Sequence, residues 1–320
     1  MTQYIAGISG RIWDEYYAEF KNYFSQDQVR DGCHPLIFEQ AEPTEKAIVL
    51  VQGLSDSPYF MSAIGEYFYQ ELGYNVYLPL LHFHGLKAPK GMEGVELEEW
   101  KANVRFAVHA ADSKAETVSI GGLSMGGALS FYIAATSPRI NGALYLFSAA
   151  LDLQGGRFGL LGEVQERVLR TFWPDLLEPI LNKAAPPLVR DDHPYSYTHV
   201  DLDGAQELAR LIKETDGLLK EFSPKAPFAK PVFAAHSEAD TTASLERIKA
   251  LQSVSDPSLF HLYIFPKALG ISHANVVLKE AIQNEEGTIL KEANPKFTEM
   301  MAAIQQFQTS IPSARIGRTP

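Results

Sequence analysis

Thr117-Val118-Ser119-Ile120-Gly121-Gly122-Leu123-Ser124-Met125-Gly126-Gly127 is the stretch on which the fold turns. Thr117 to Ile120 is a short β-branched run that reads as a strand. Met125 to Ala135 reads as a helix closed by Ser137-Pro138. Between them lies a G-x-S-x-G motif, Gly122 to Gly126. Five residues alone recur by chance, but the strand-turn-helix setting makes the match specific. A serine in a sharp, strained turn projects its hydroxyl above the sheet only if its neighbours lack Cβ atoms that would strike the adjoining strand or helix. Gly122 and Gly126 supply that clearance, and Gly121 and Gly127 extend it.

Working outward, Ala47-Ile48-Val49-Leu50-Val51 is continuous and apolar, as a strand buried on both faces of a parallel sheet should be. Helical spacing over Ile64 to Leu72, a strand over Tyr74 to Leu80 and a helix over Leu97 to Ala111 follow, and Gly142 to Phe147 is another buried strand. Alternation resumes later with a strand at Pro231 to Ala235, a helix from about Ala243 to Val254, a strand at Leu259 to Phe265 and a helix from Lys296 to Phe307. This pattern predicts the α/β class, a mostly parallel central sheet with helices on both faces. From Gln154 to Ala229 no strand-like run occurs, while Val164, Leu169, Phe172, Trp173, Leu176, Leu177 and Leu181 suggest helices. Asp203 with Gln206 resembles a capping box opening a helix that carries Leu208, Leu211 and Ile212. At the N-terminus Trp13, Tyr16, Tyr17, Phe20 and Phe24 share one helical face, an expected packing stripe. The expected organisation is therefore an N-terminal helical extension (1–30), a core (31–153 and 230–320) and a helical insertion (154–229).

The chain has 320 residues, 46% hydrophobic and 21% charged, which suits a globular fold with a large core. Its net charge of −11 opposes binding to phosphate backbones, so nucleic acid is excluded as an expected partner. No apolar run reaches the length of a membrane span. Cys33 is the single cysteine, so neither an intrachain disulfide nor a thiolate zinc cluster is available. His82 with His84, and His236 with Glu238, are thin pairs without a third ligand, and no G-x-G-x-x-G or P-loop occurs. No metal and no cofactor are expected. Met1 to Gly10 lacks a basic segment followed by an apolar stretch, from which a cytoplasmic location is expected.

A serine hydroxyl needs a base to take its proton and a residue to orient that base. Of nine histidines, His273 lies beyond the last predicted strand of the alternation, in the loop Gly270-Ile271-Ser272-His273-Ala274-Asn275. The orienting acid is sought between Ser124 and His273. Asp240 follows the strand Pro231 to Ala235 and opens the next helix, where its other role is that of an N-cap. Glu238 is the runner-up, and Asp191 or Asp192 are poorer because they fall inside the insertion.

In this order and spacing, with Val51-Gln52-Gly53-Leu54-Ser55-Asp56-Ser57-Pro58, His82-Phe83-His84-Gly85 and Ser237 to Asp240, the chain resembles α/β-hydrolase-fold carboxylesterases and monoacylglycerol-lipase-like enzymes from about Ala47 to Phe307. The resemblance implies a Ser124–Asp240–His273 triad and an oxyanion hole made by the backbone N–H groups of Leu54 and Met125. It also implies a cap over the serine formed by 154–229, and on position alone Phe158, Leu160, Leu161 and Trp173 are expected to line an acyl pocket. Gln52 stands where many relatives carry His, and Ser237 where many carry Gly. His82 and His84 are expected to shape the site rather than touch substrate. The expected activity is hydrolysis of short to medium acyl esters or monoacylglycerols, on a small-molecule ester. Acyl transfer, thioester or amide cleavage by the same residues, and a non-catalytic receptor, are the alternatives.

Overall fold

A computed structural model describes residues 25–88, 91–153, 193–197 and 200–311. The central sheet has seven strands: β1 (Leu36–Phe38), β2 (Lys46–Val51), β3 (Asn75–Leu78), β4 (Thr117–Leu123), β5 (Leu144–Phe147), β6 (Val232–Ser237) and β7 (Phe260–Phe265), in the spatial order β1-β3-β2-β4-β5-β6-β7. All neighbours pair in parallel except β1, which runs antiparallel to β3 at the edge. The helices are α1 (Tyr59–Gln70), α2 (Leu97–Asp112), α3 (Met125–Thr136), α4 (Leu202–Glu221), α5 (Leu245–Ser253) and α6 (Phe297–Ser310). A small hairpin, β8 (Ile282–Gln283) with β9 (Ile289–Lys291), precedes α6.

Period-2 alternation explains why β2 sits at the centre. Ala47, Val49 and Val51 point into one apolar core, shared with α2, α3, α4 and α5. Ile48 and Leu50 point into the other, shared with α1 and α6. The chain leaves β2 through α1 to β3 on one side and returns through α2 to β4 on the other. Strand order therefore reverses between β2 and β4, and the crevice at their carboxyl ends is where such sheets bind ligands. Val51 pairs with Gly122, so the loop after β2 and the turn after β4 lie side by side.

The helix expected within the insertion exists as α4, but it begins at an N-cap of Asp201 rather than Asp203. Its acidic residues serve a neighbouring loop: Asp201 accepts from Met92 N–H at 2.7 Å and Asp203 from Gly94 N–H at 2.6 Å. Helix α4 lays Leu208, Leu211 and Ile212 into the core shared with α2 and α3, and Lys101 of α2, buried, reaches Glu214 at 2.6 Å. The N-terminal stripe and Phe158, Leu160, Leu161, Trp173, Asp191 and Asp192 lie outside the described residues. Residues 26–28 form a single 3₁₀ turn, and Val29 then bridges Leu86.

Candidate active site

Ser124 occupies the turn between β4 and α3 with φ +53° and ψ −119°, a conformation that costs a non-glycine residue on the order of 1–3 kcal/mol. The surrounding packing holds it there. Ser124 N–H donates to Phe147 O at 3.0 Å, and α3 behind it is buried on nearly every side. The glycines carry the steric load read from the sequence: a Cβ on Gly122 would stand 2.5 Å from the Gly126 carbonyl carbon, and one on Gly126 would strike the carbonyl oxygens of Val51 and Gln52. Any side chain at either position would push the serine turn away from β2.

Asp240 follows β6 and His273 follows β7, so both stand at the sheet end that carries Ser124. The two meet directly, with His273 Nδ1 2.7 Å from Asp240 Oδ2. The other carboxylate oxygen, Oδ1, accepts from Thr242 N–H at 2.7 Å and Ala243 N–H at 3.0 Å. Asp240 is not the N-cap of α5, which is Ser244; one of its oxygens caps the turn before that helix and the other meets the histidine. Burial disfavours its charge, but the His273 hydrogen bond and charge, with the two N–H donors, outweigh that and hold its carboxyl below the usual range. His236, whose own basicity burial lowers, sits 3.6 Å from Asp240 Oδ2 and 3.2 Å from Ala243 O, walling the acid in. With its Nδ1–H given to Asp240, His273 leaves Nε2 as the acceptor, and that atom is buried with no partner among the described residues.

Glu238 takes a different course. It accepts the Lys267 N–H at 3.0 Å and ties the exit of β6 to the loop after β7, away from His273. Ser237 holds the acid loop, accepting from Ala239 N–H with Oγ at 3.1 Å and from Asp240 N–H with its carbonyl at 3.1 Å.

Of the expected oxyanion donors, Leu54 stands on the loop after β2 and Met125 opens α3, and within the described residues neither N–H donates to a protein acceptor. Met125 N–H is also the first of α3, where the helix dipole favours negative charge. The loop carrying Leu54 is clamped from two sides. The buried Gln52 amide donates to Pro79 O at 2.9 Å and accepts from Leu81 N–H at 3.0 Å, and Tyr197 N–H donates to Ser55 O at 2.8 Å. Gln52 is therefore a tie between two loops at the crevice. His82 and His84 are fully buried, His82 Nδ1 on Asn103 Oδ1 at 2.9 Å and His84 Nδ1 on His82 O at 2.8 Å.

Asp56, quoted in the sequence motif without a role, belongs to this site. Its N–H donates to Gly53 O at 3.2 Å, closing a turn in which Ser55 has φ +67°. Its carboxyl lies against Gly53: a Cβ there would stand 2.5 Å from Asp56 Oδ2 and 3.3 Å from Ser124 Cβ. Burial pushes the Asp56 carboxyl up to about 7, against the opposing pull of Lys291 and His273. In an unfolded chain the same group titrates near 3.9. The stability contributed by its neutral form is therefore present below about pH 4 and lost as pH rises through about 7. Asp56→Asn, neutral at every pH, should match the wild-type Tm below about pH 4 and exceed it by a few degrees at about pH 8. A Tm difference independent of pH in scanning fluorimetry would contradict the buried, proton-holding carboxyl.

No family model matches the chain. Its backbone superposes on a structure of the metagenome-derived lipolytic enzymes LipS and LipT with a TM-score of 0.63 at 18% identity, covering 88% of this chain and 100% of the other. The Paleococcus ferrophilus monoacylglycerol lipase gives 0.59 at 16% identity, over 87% of this chain and 99% of that one. The Saccharomyces cerevisiae monoglyceride lipase gives 0.59 at 13%, over 87% and 92%. The chain has the α/β-hydrolase fold. In sequence it is similar to the thermostable monoacylglycerol lipase of Bacillus sp. strain H-257, 29% identical over 195 residues that span 61% of this chain and 71% of that lipase.

Proposed function

We propose that the protein is a serine hydrolase that cleaves carboxylic esters, short to medium acyl esters or monoacylglycerols, through an acyl-enzyme on Ser124. It is a carboxylic-ester hydrolase, in keeping with the lipases and esterases that it resembles in sequence and fold. The observation that carries the catalytic roles is the 2.7 Å hydrogen bond from His273 Nδ1 to Asp240 Oδ2, on the sheet end where Ser124 is held in its strained turn.

Ser124 Oγ attacks the acyl carbon while His273 Nε2 takes its proton, and Asp240 stabilises the imidazolium that forms. The carbonyl electron pair moves onto oxygen, where the Leu54 and Met125 N–H groups meet it; one such donor is worth roughly 3 to 4 kcal/mol in the transition state. The pair then returns, the ester C–O bond breaks, and the leaving alcohol takes the proton from His273. Water, activated by the same histidine, attacks the acyl carbon and releases the acid with Ser124 restored. Phe158, Leu160, Leu161 and Trp173 of the proposed cap are the candidates for the acyl pocket. Among the described residues no helix is long and apolar enough to cross a membrane.

An acyl-length series of aryl esters tests the proposal. Turnover should peak at short to medium chains, release free acid, and be unchanged by a chelator, because the nucleophile is a serine and not a metal-bound water. Absence of turnover across the series, or loss of activity to the chelator, would overturn it. Product found mainly on an added competing alcohol would shift the assignment to acyl transfer.

A further inference from the structure

Asp56 is an acid that the hydrolytic steps above do not use, yet it stands beside the group that does the chemistry. It and Ser124 flank the same face of Gly53, and each is nine-tenths buried with 9% of its surface still accessible. No hydrogen bond to its carboxyl oxygens is formed among the described residues, although its own N–H is held by Gly53 O and the preceding Ser55 O accepts from Tyr197 N–H. A buried carboxyl without a partner is costly in either protonation state, and the cost is relieved when a ligand brings the missing hydrogen-bonding group.

Which group fits follows from the surroundings. Among the described residues, Lys291 and His273 are the charged and titratable groups that act on Asp56, and both are basic, so a substrate cation would be opposed as it approached. An anion would be opposed by a carboxylate. A hydroxyl suits both forms of the carboxyl, donating to the carboxylate and accepting from the acid.

We propose that Asp56 is a specificity-determining residue that hydrogen-bonds a hydroxyl carried by the ester substrate close to the scissile bond, so that hydroxylated esters such as glycerol monoesters are selected over esters of the same size without the hydroxyl. This rests on the ester-hydrolase reading with Ser124 as nucleophile. Sites built to bind a substrate hydroxyl reject the analogue lacking it, because the buried group is then left unpaired.

The experiment compares kcat/KM for glycerol monobutyrate and propyl butyrate, both below their solubility limits, in the wild type and in Asp56→Ala, Asp56→Leu and Asp56→Asn. Taking the ratio of the two constants on one sample makes the readout independent of how much of that sample is folded. In the wild type the ratio should favour the glycerol ester by at least about tenfold, in keeping with one hydrogen bond to a buried carboxyl. Asp56→Ala and Asp56→Leu should bring it to within about twofold of unity. Asp56→Asn, which keeps a donor and an acceptor, should retain most of the preference. A wild-type ratio near one, or a preference that survives in both Asp56→Ala and Asp56→Leu, overturns the role of Asp56 while leaving the hydrolase intact. A wild type that cleaves neither ester overturns the ester-hydrolase reading itself.

Discussion

Ser124→Ala should fold as the wild type does and lose at least about 10⁴ of kcat, with the remaining rate close to what bound substrate and oxyanion donors alone provide. The expected loss is this large because His273 and Asp240 have no proton to move once the hydroxyl is gone. Folding should survive because Ser124 contributes its backbone, not its side chain, to the turn: its N–H donates to Phe147 O at 3.0 Å and its carbonyl accepts from Ala128 N–H at 3.1 Å and Ala150 N–H at 3.0 Å, bonds that alanine keeps. Alanine at φ +53° is strained as serine is, so the stability change should be small. Steady-state rates with a short-chain aryl ester, beside a circular dichroism melt, check both parts. Activity within about tenfold of the wild type would remove Ser124 from the chemistry.

Asp240→Asn carries the second-largest expected effect, on the order of 10² to 10⁴ in kcat with KM changed little. Asparagine can keep the turn, since its oxygen still accepts from Thr242 and Ala243 N–H. Its NH₂ then faces His273 Nδ1, where only an acceptor would hold the productive tautomer. The imidazole turns over its proton, Nε2 carries the hydrogen, and the base is lost. Glu238→Gln should be nearly silent, because glutamine also accepts the Lys267 N–H. The reverse pattern, with Glu238→Gln inactive and Asp240→Asn active, would move the acid role to Glu238.

The choice between those two acids shows where sequence reasoning reached its limit. Both follow β6 within three residues, and chain position alone ranks Asp240 first with Glu238 as runner-up. What separates them is the direction of exit from the strand, set by Ser237 accepting from Ala239 and Asp240 N–H, which no composition reveals. The sheet itself was legible because β2, β4, β5 and β6 are buried on both faces, with apolar runs continuous in β2 and β5 and a β-branched run leading into the Gly-rich turn in β4. Strand β1 was not: three residues, Leu36–Phe38, are too few to show a period, and they form a strand only because β3 offers an open edge. The hairpin of β8 and β9 escaped for the same reason. The start of α4 was misread by two residues because Asp203 with Gln206 looks like a capping box in sequence, whereas the N-cap is Asp201 and the Asp203 carboxylate bonds Gly94 in a loop more than a hundred residues away. In the site, the glycines and His273 could be read from local sterics and chain order. Gln52 and Asp56 could not, since the role of each depends on burial and on what lies across the crevice.

The most direct test of the central assignment is the mass spectrum of the protein after brief treatment with a fluorophosphonate. A single adduct on the peptide containing Ser124, formed by the wild type and much more slowly by Asp240→Asn, is the predicted result. An adduct on another residue, or no adduct in a preparation that hydrolyses esters, would contradict Ser124 as the nucleophile.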